Sequence, residues 1–230
     1  MTYITGDIHG DLRRLDNFAY KNRTSREDTM IILGDVGFNY FGDIRDIGRK
    51  HNAEKHIPLT FFCIHGNHEM RPQNFADYVE KEFWGGKVLY EPDYPSLLFA
   101  IDGEIYNIGG KRCLVIGGAY SVDKEYRLQR GWGWFSDEQP SPEAKALVEA
   151  NLGLSEWSVD VVLSHTCPLR YEPVEVFLPF IDQSKVDKST EEWLDSIEQR
   201  LTYDKWYCGH YHTEKVIDKL EFMYESIKEF

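Results

Sequence analysis

Five times along the chain a short run of apolar and β-branched residues stops at a glycine, an acid, an amide or a histidine. Residues 2–5 run into Gly6-Asp7-Ile8-His9-Gly10, and residues 29–33 run into Gly34-Asp35. Residues 59–64 lead to Gly66-Asn67-His68-Glu69, and 159–164 end at Ser164-His165. Trp206-Tyr207-Cys208 gives way to Gly209-His210-Tyr211-His212. Such runs read as strands leaving a sheet through loops. Between the first two, Leu12, Leu15, Phe18 and Ala19 stand at helical spacing. Ser141-Pro142-Glu143 is a helix start, with an N-cap and a proline in the first turn. Ser189-Thr190-Glu191-Glu192 has the capping-box spacing ahead of Trp193, Leu194 and Ile197. Alternating strands and helices imply a layered α/β fold.

The middle and the end of the chain read differently. Residues 97–101 and 104–108 flank Asp102-Gly103 and predict a hairpin with an Asp-Gly turn. Residues 112–116 supply another strand, and 216–217 with 221–225 predict a terminal hairpin around Asp218-Lys219-Leu220. The sheets should therefore be mixed. With no internal repeat, low-complexity tract or linker, the 230 residues read as one domain, 1–230.

A formal net charge of −13 sets limits on partners. It repels extended nucleic acid but leaves room for a small phosphorylated substrate, because bound cations can reverse the potential locally. No apolar stretch approaches the roughly 20 residues of a bilayer span, and Met1-Thr2-Tyr3-Ile4-Thr5 has no leader character. Cys63, Cys113, Cys167 and Cys208 are scattered without a paired spacing, which suits a reducing, cytoplasmic compartment. No protein partner is specified.

Ligands in α/β folds gather outside the carboxyl ends of strands, so five strand ends aim Asp, His and Asn at one region. Two metal ions about 3.5–4 Å apart need a bridging carboxylate, neutral imidazoles and oxygen donors. Asp7 and His9 are two apart, as are His210 and His212. In extended backbone such pairs face one side, so each pair can reach one site. The neighbouring glycines leave space for ions and phosphate.

In order and nearly end to end, the five blocks resemble the metallophosphoesterase, or calcineurin-like phosphoesterase, family: G-D-x-H-G, G-D, G-N-H-D/E, a lone His after a strand, and G-H-x-H. The resemblance implies a sandwich of two mixed β-sheets face to face, flanked by α-helices. It implies that Asp7, His9 and His212 hold one metal, that Asn67, His165 and His210 hold a second, and that Asp35 bridges them. It further implies hydrolysis of a phosphomonoester or phosphodiester by a hydroxide between the ions, with His68 protonating the leaving oxygen or steadying the transition state. An oxygen and nitrogen ligand set without thiolates suits Mn2+ or Fe, with Zn2+ or Ni2+ occupancy set by availability. Protein Ser/Thr phosphatases of this superfamily continue their second block as G-D-x-x-D-R-G. Here Phe38 stands for the Asp that would orient the catalytic histidine, and Asn39 for a phosphate-binding Arg. The departure counts against a protein phosphatase and leaves the partner of His68 unnamed.

Several residues carry two readings. Residues 117–134 combine Lys124, Arg127 and Arg130 with Tyr120, Tyr126, Trp132 and Trp134. They read either as a substrate wall, with cations for phosphate and aromatic faces for a base, or as a surface helix with aromatics packed inward. Arg13 and Arg14 read as solvated helix charges, and His51 and His56 as surface histidines. His65 reads as a structural neighbour of the site. Glu69 reads as a helix-start carboxylate or a supporting group, and Cys167 and Cys208 as buried thiols in preference to ligands. Residues 171–187 could form a lid or an interface. Three functions compete. A phosphoesterase for a nucleotide-like or other small substrate is favoured by the aromatic and basic segment. A nuclease would need a basic channel, and a non-catalytic scaffold would have no need of His68 and seven ligands.

Overall fold

A computed structural model describes residues 1–230. Its elements, in chain order, are β1 (Thr2–Thr5), α1 (Arg13–Asn22), β2 (Thr29–Ile32), α2 (Ile44–His56) and β3 (Thr60–Cys63). Next come β4 (Val79–Phe83), β5 (Gly86–Tyr90), β6 (Leu97–Ala100), β7 (Ile105–Ile108) and β8 (Lys111–Ile116). The remainder holds α3 (Lys124–Arg130), α4 (Pro142–Leu154), β9 (Val161–Ser164), α5 (Ser189–Glu198), β10 (Lys205–Cys208), β11 (Lys215–Ile217), β12 (Leu220–Phe222) and β13 (Lys228–Glu229). No helix is long and apolar enough to cross a membrane.

Two mixed sheets face each other. One runs β13-β1-β2-β3-β6-β5-β4 and the other β11-β12-β10-β9-β8-β7. Each has four parallel strands at its centre, β1-β2-β3-β6 and β12-β10-β9-β8, and antiparallel strands outside them. Strand periodicity sorts the side chains into layers. Ile31 and Leu33 point between the sheets with Phe62, Tyr106, Val115 and Leu163. Met30 and Ile32 point outward to Leu15 and Ala19 of α1 and Ala53 of α2. On the other flank Leu114, Val162 and Trp206 pack against Val148 and Leu152 of α4 and Leu194 and Ile197 of α5. The parallel strands of both sheets end on the same rim, so the loops after β1, β2, β3, β9 and β10 meet there.

Three features differ from the sequence expectations. Residues 97–108 do not form a hairpin. Both edges of β6 are taken, by β3 and β5, so β7 crosses to the second sheet and pairs with β8. The Asp102 carboxylate fixes the crossing by accepting from Gly117 N at 2.6 Å and Arg71 Nη1 at 2.8 Å. The true hairpin is β7-β8, whose Gly109-Gly110 turn has φ of 61° and 85°, the mirror-image turn that matches strand twist. At α5 the N-cap position is Lys188, and the capping carboxylate is that of the preceding Asp187, whose Oδ1 accepts from Ser189 N at 2.9 Å. Ser189 is already helical, and the Glu191 carboxylate turns inward to the Thr166 hydroxyl. Arg14 is only partly exposed. Its guanidinium donates to Asp7 O and Tyr224 O, tying the first loop to the C-terminal segment. The strand ends, the Ser141 cap of α4 and the β11-β12 hairpin match expectation.

Candidate active site

The five loops bring Asp7, His9, Asp35, Asn67, His165, His210 and His212 together on the rim. Ligand-type atoms of Asp7, His9 and His212 lie within 4.8 Å of one another, as do those of Asp7, Asp35 and His165, and those of His9, Asp35 and His68. Asp35 sits between the groups, with Oδ2 3.7 Å from His9 Nδ1 and Oδ1 3.8 Å from His165 Nε2.

The local backbone differs from the extended pairs expected. His9, Asp35, His210 and His212 all have positive φ, between 46° and 67°. Left-handed backbone at non-glycine residues costs free energy and persists where surrounding contacts impose it. Here it splits the last pair. His212 turns to His9 and Asp7, with Nε2 atoms of the two histidines 2.9 Å apart, while His210 turns to Asn67 Oδ1 at 3.0 Å. The loops are tied together by backbone donors to the acids. His210 N donates to Asp7 Oδ1 at 3.0 Å, and His68 N to Asp35 Oδ1 at 2.8 Å.

The donor set fits metal ions. His165 Nδ1 donates to Leu33 O at 2.7 Å, which leaves Nε2 with its lone pair 2.8 Å from the carbonyl oxygen of Asn67. Asn67 cannot turn its amide group there, because Nδ2 donates to Ser121 Oγ at 2.8 Å and Ser121 is held by Glu138. Two acceptors therefore face each other. Asp7 Oδ2 is buried without a well-aligned donor, although His212 Nε2 lies 3.3 Å away. Such arrangements are costly unless a cation lies between the acceptors. An outer group that fixes a histidine tautomer is the usual support of a metal ligand.

Electrostatics agree. Burial pushes the Asp35 carboxyl up, but His165, His68 and His9 outweigh it and hold the group well below the carboxylate range. Burial and then His165 press His210 down to about 3, so its imidazole stays neutral. The Asp7 carboxylate pulls His212 upward. Glu69 is fully buried beneath the loops and accepts from Gly37 N and Gly66 N. Burial and Asp35 raise its pKa to about 8. His65 is buried beside the site, and Cys167 and Cys208 belong to the apolar layer under α4 and α5.

His68 has partners that the second block lacks. Arg127 Nη2 donates to its Nδ1 at 2.8 Å, and Asp123 Oδ1 lies 3.7 Å from its Nε2. Arg127 also donates through Nε to both Asp123 oxygens at 2.8 Å. Because guanidinium is only a donor, Nδ1 accepts and the ring proton sits on Nε2. Burial and, after Asp35's opposing pull, the nearby Arg127 charge hold His68 below its ordinary pKa.

A cavity of about 370 Å³ opens beside these residues and is lined by Asp35, Asn67, His68, His210 and His212. From 117–134 the lining takes Tyr120, Val122 and Asp123, but not the three cations. Arg127 is buried behind His68, Lys124 lies over the Trp134 ring, and Arg130 lies over Tyr126. Tyr126 and Trp132 meet edge to face at the surface. The opposite wall comes from 172–191. Sequence reasoning missed Ser121, Asp123, Glu138 and Glu191. Each lies in a polar segment, so nothing in the local sequence marked it.

A family model for calcineurin-like phosphoesterases matches residues 2–214. A solved structure, phosphopantetheinyl hydrolase from Mycobacterium tuberculosis, superposes with a TM-score of 0.51 at 15% sequence identity, covering 97% of this chain and 87% of that one. No curated protein matches the sequence. With the fold, the strand-end site and the family model in agreement, the chain belongs to the calcineurin-like phosphoesterases, hydrolases that cleave phosphoester bonds with the help of metal ions.

Proposed function

We propose that the chain hydrolyses a small phosphomonoester or phosphodiester at a site holding two divalent ions. The facing acceptors carry this reading: His165 Nε2 against Asn67 Oδ1, and the unsatisfied Asp7 Oδ2 beside His212. Asp7, His9 and His212 would hold one ion, Asn67, His165 and His210 the other, and Asp35 would bridge. Bound there, the ions would supply Lewis acidity at the phosphoryl oxygens and an activated water. Mn2+ or Fe suits this nitrogen and oxygen set, with Zn2+ or Ni2+ as substitutes.

The chain's own residues do the rest. His68 presents its Nε2 proton to the cavity, where it can hydrogen-bond the leaving oxygen as negative charge develops. Arg127 keeps that proton on Nε2 by occupying Nδ1. The cavity volume suits a small organic ester, and its lining contains no lysine or arginine to track a nucleic-acid backbone. The four unpaired, buried cysteines support a cytoplasmic location.

The test is His68→Ala in Mn2+-reconstituted protein, assayed on para-nitrophenyl phosphate and its bis ester. Metal content should be unchanged while kcat falls by about 10²-fold or more. Loss of metal together with activity would make His68 a ligand and overturn its assigned role.

A further inference from the structure

Resting on the reading above, we propose that the non-reacting part of the substrate is an uncharged, largely apolar organic group without a second phosphate or a carboxylate. Beyond the candidate ligands and His68, the cavity is lined by Val122, Val176, Phe177, Leu178, Ile181 and Val186, with Tyr120 and Tyr211 among them. The polar remainder is Gln183 and four acids, Asp123, Glu172, Asp187 and Glu191.

The nearby cations are already engaged. Lys188 pairs with Glu172 at 2.6 Å, Arg127 holds Asp123 and His68, and Lys124 covers Trp134. An anionic group reaching past the reacting phosphate would be desolvated among carboxylates with no free counter-charge, which is unfavourable. An apolar group loses nothing and gains burial. The wall is also coupled to the site. Phe177 stacks on Tyr211, with centroids 6.2 Å apart and planes 16° from parallel, and Tyr211 lies between His210 and His212. Phe177 is thus one ring away from the loop that carries two of the candidate ligands, and both it and Tyr211 line the cavity. This moves the substrate class away from nucleoside polyphosphates: of the four aromatic rings expected to stack a base only Tyr120 lines the cavity, while Tyr126, Trp132 and Trp134 do not, and no free cation is there to meet a second phosphate.

Calorimetry of n-alkylphosphonates, ethyl to hexyl, with the Mn2+-loaded protein tests the proposal without turnover. Kd should fall about fourfold per methylene until the cavity is filled, the value expected from burying each CH2. A terminal carboxylate on the hexyl compound should weaken binding at least tenfold. Phe177→Ala should flatten the ladder, and so should Leu178→Ser, a half-exposed position that leaves the fold intact. A flat ladder in the wild type, or tighter binding of the carboxylated compound or of a nucleoside diphosphate, would overturn the proposal. A steep ladder in protein that hydrolyses neither nitrophenyl ester would overturn the proposed small-ester activity while still showing the apolar subsite. A flat ladder with turnover would do the reverse.

Discussion

Arg127 Nη2 lies 2.8 Å from His68 Nδ1, and this one hydrogen bond determines which nitrogen of the histidine carries the proton. Phe38 stands where related phosphatases place an orienting acid, and it is buried in the layer under α1 and α2. The orienting groups come instead from the start of α3, where Asp123 at the N-cap and Arg127 lie one helical turn apart.

Arg127→Ala should lower kcat at least tenfold with little change in KM, because it alters a proton's position and not a substrate contact. In the nitrogen NMR spectrum His68 should pass from the Nε2–H tautomer to a mixture. Arg127→Lys, which retains charge but loses the fork to both Asp123 oxygens, should rescue only in part. A rise in KM at unchanged kcat would return Arg127 to the substrate-binding role that its sequence context suggests.

Gly66 lies so close to Asp35 that a Cβ would overlap both its backbone nitrogen and Oδ1. Gly66→Ala should therefore displace the bridging carboxylate and lower metal affinity and kcat by about 10²-fold or more. Gly48, exposed in α2 with open space where a Cβ would stand, is the control. Gly48→Ala should leave activity unchanged and raise stability by about 0.5–1 kcal/mol in urea unfolding. Equal effects of the two changes would contradict the geometry.

Glu191 gives a pH signature in stability. Burial first, opposed by the Thr166 hydroxyl, raises its pKa to about 7 from an ordinary 4.5. The folded state thus binds this proton more tightly than the unfolded state. The contribution of Glu191 to stability should be complete below about 4.5 and decline as pH rises through 7, by on the order of 3 kcal/mol at most. Glu191→Gln should flatten that difference between urea midpoints at pH 5 and pH 8. A variant with the wild-type slope would show that Glu191 ionises freely.

Much of this was legible because strands ending in Gly-Asp or Gly-Asn-His leave both a period and a chemistry in the sequence. The loops carrying Asp7, Asp35, Asn67, His165 and His210 are read from local pattern, and the rim where they meet follows from parallel pairing. What was not legible depended on contacts remote in sequence. The crossing at Asp102 follows from β6 having two neighbours, which Asp102-Gly103 cannot reveal. Arg14 looks solvated until Tyr224, 210 positions away, is placed beside it. Ser121, which fixes the Asn67 amide from 54 positions away, and Asp123, which faces His68, are ordinary loop residues until β8 brings them to the rim.

Seven side chains on five loops should together hold two ions. Elemental analysis of protein stripped with chelator, reconstituted with Mn2+ and freed of excess metal tests this most directly. Two ions per chain are expected, with both lost or weakened in Asp35→Asn because the shared carboxylate loses its charge. One ion per chain, none, or two that survive Asp35→Asn unchanged would contradict the account.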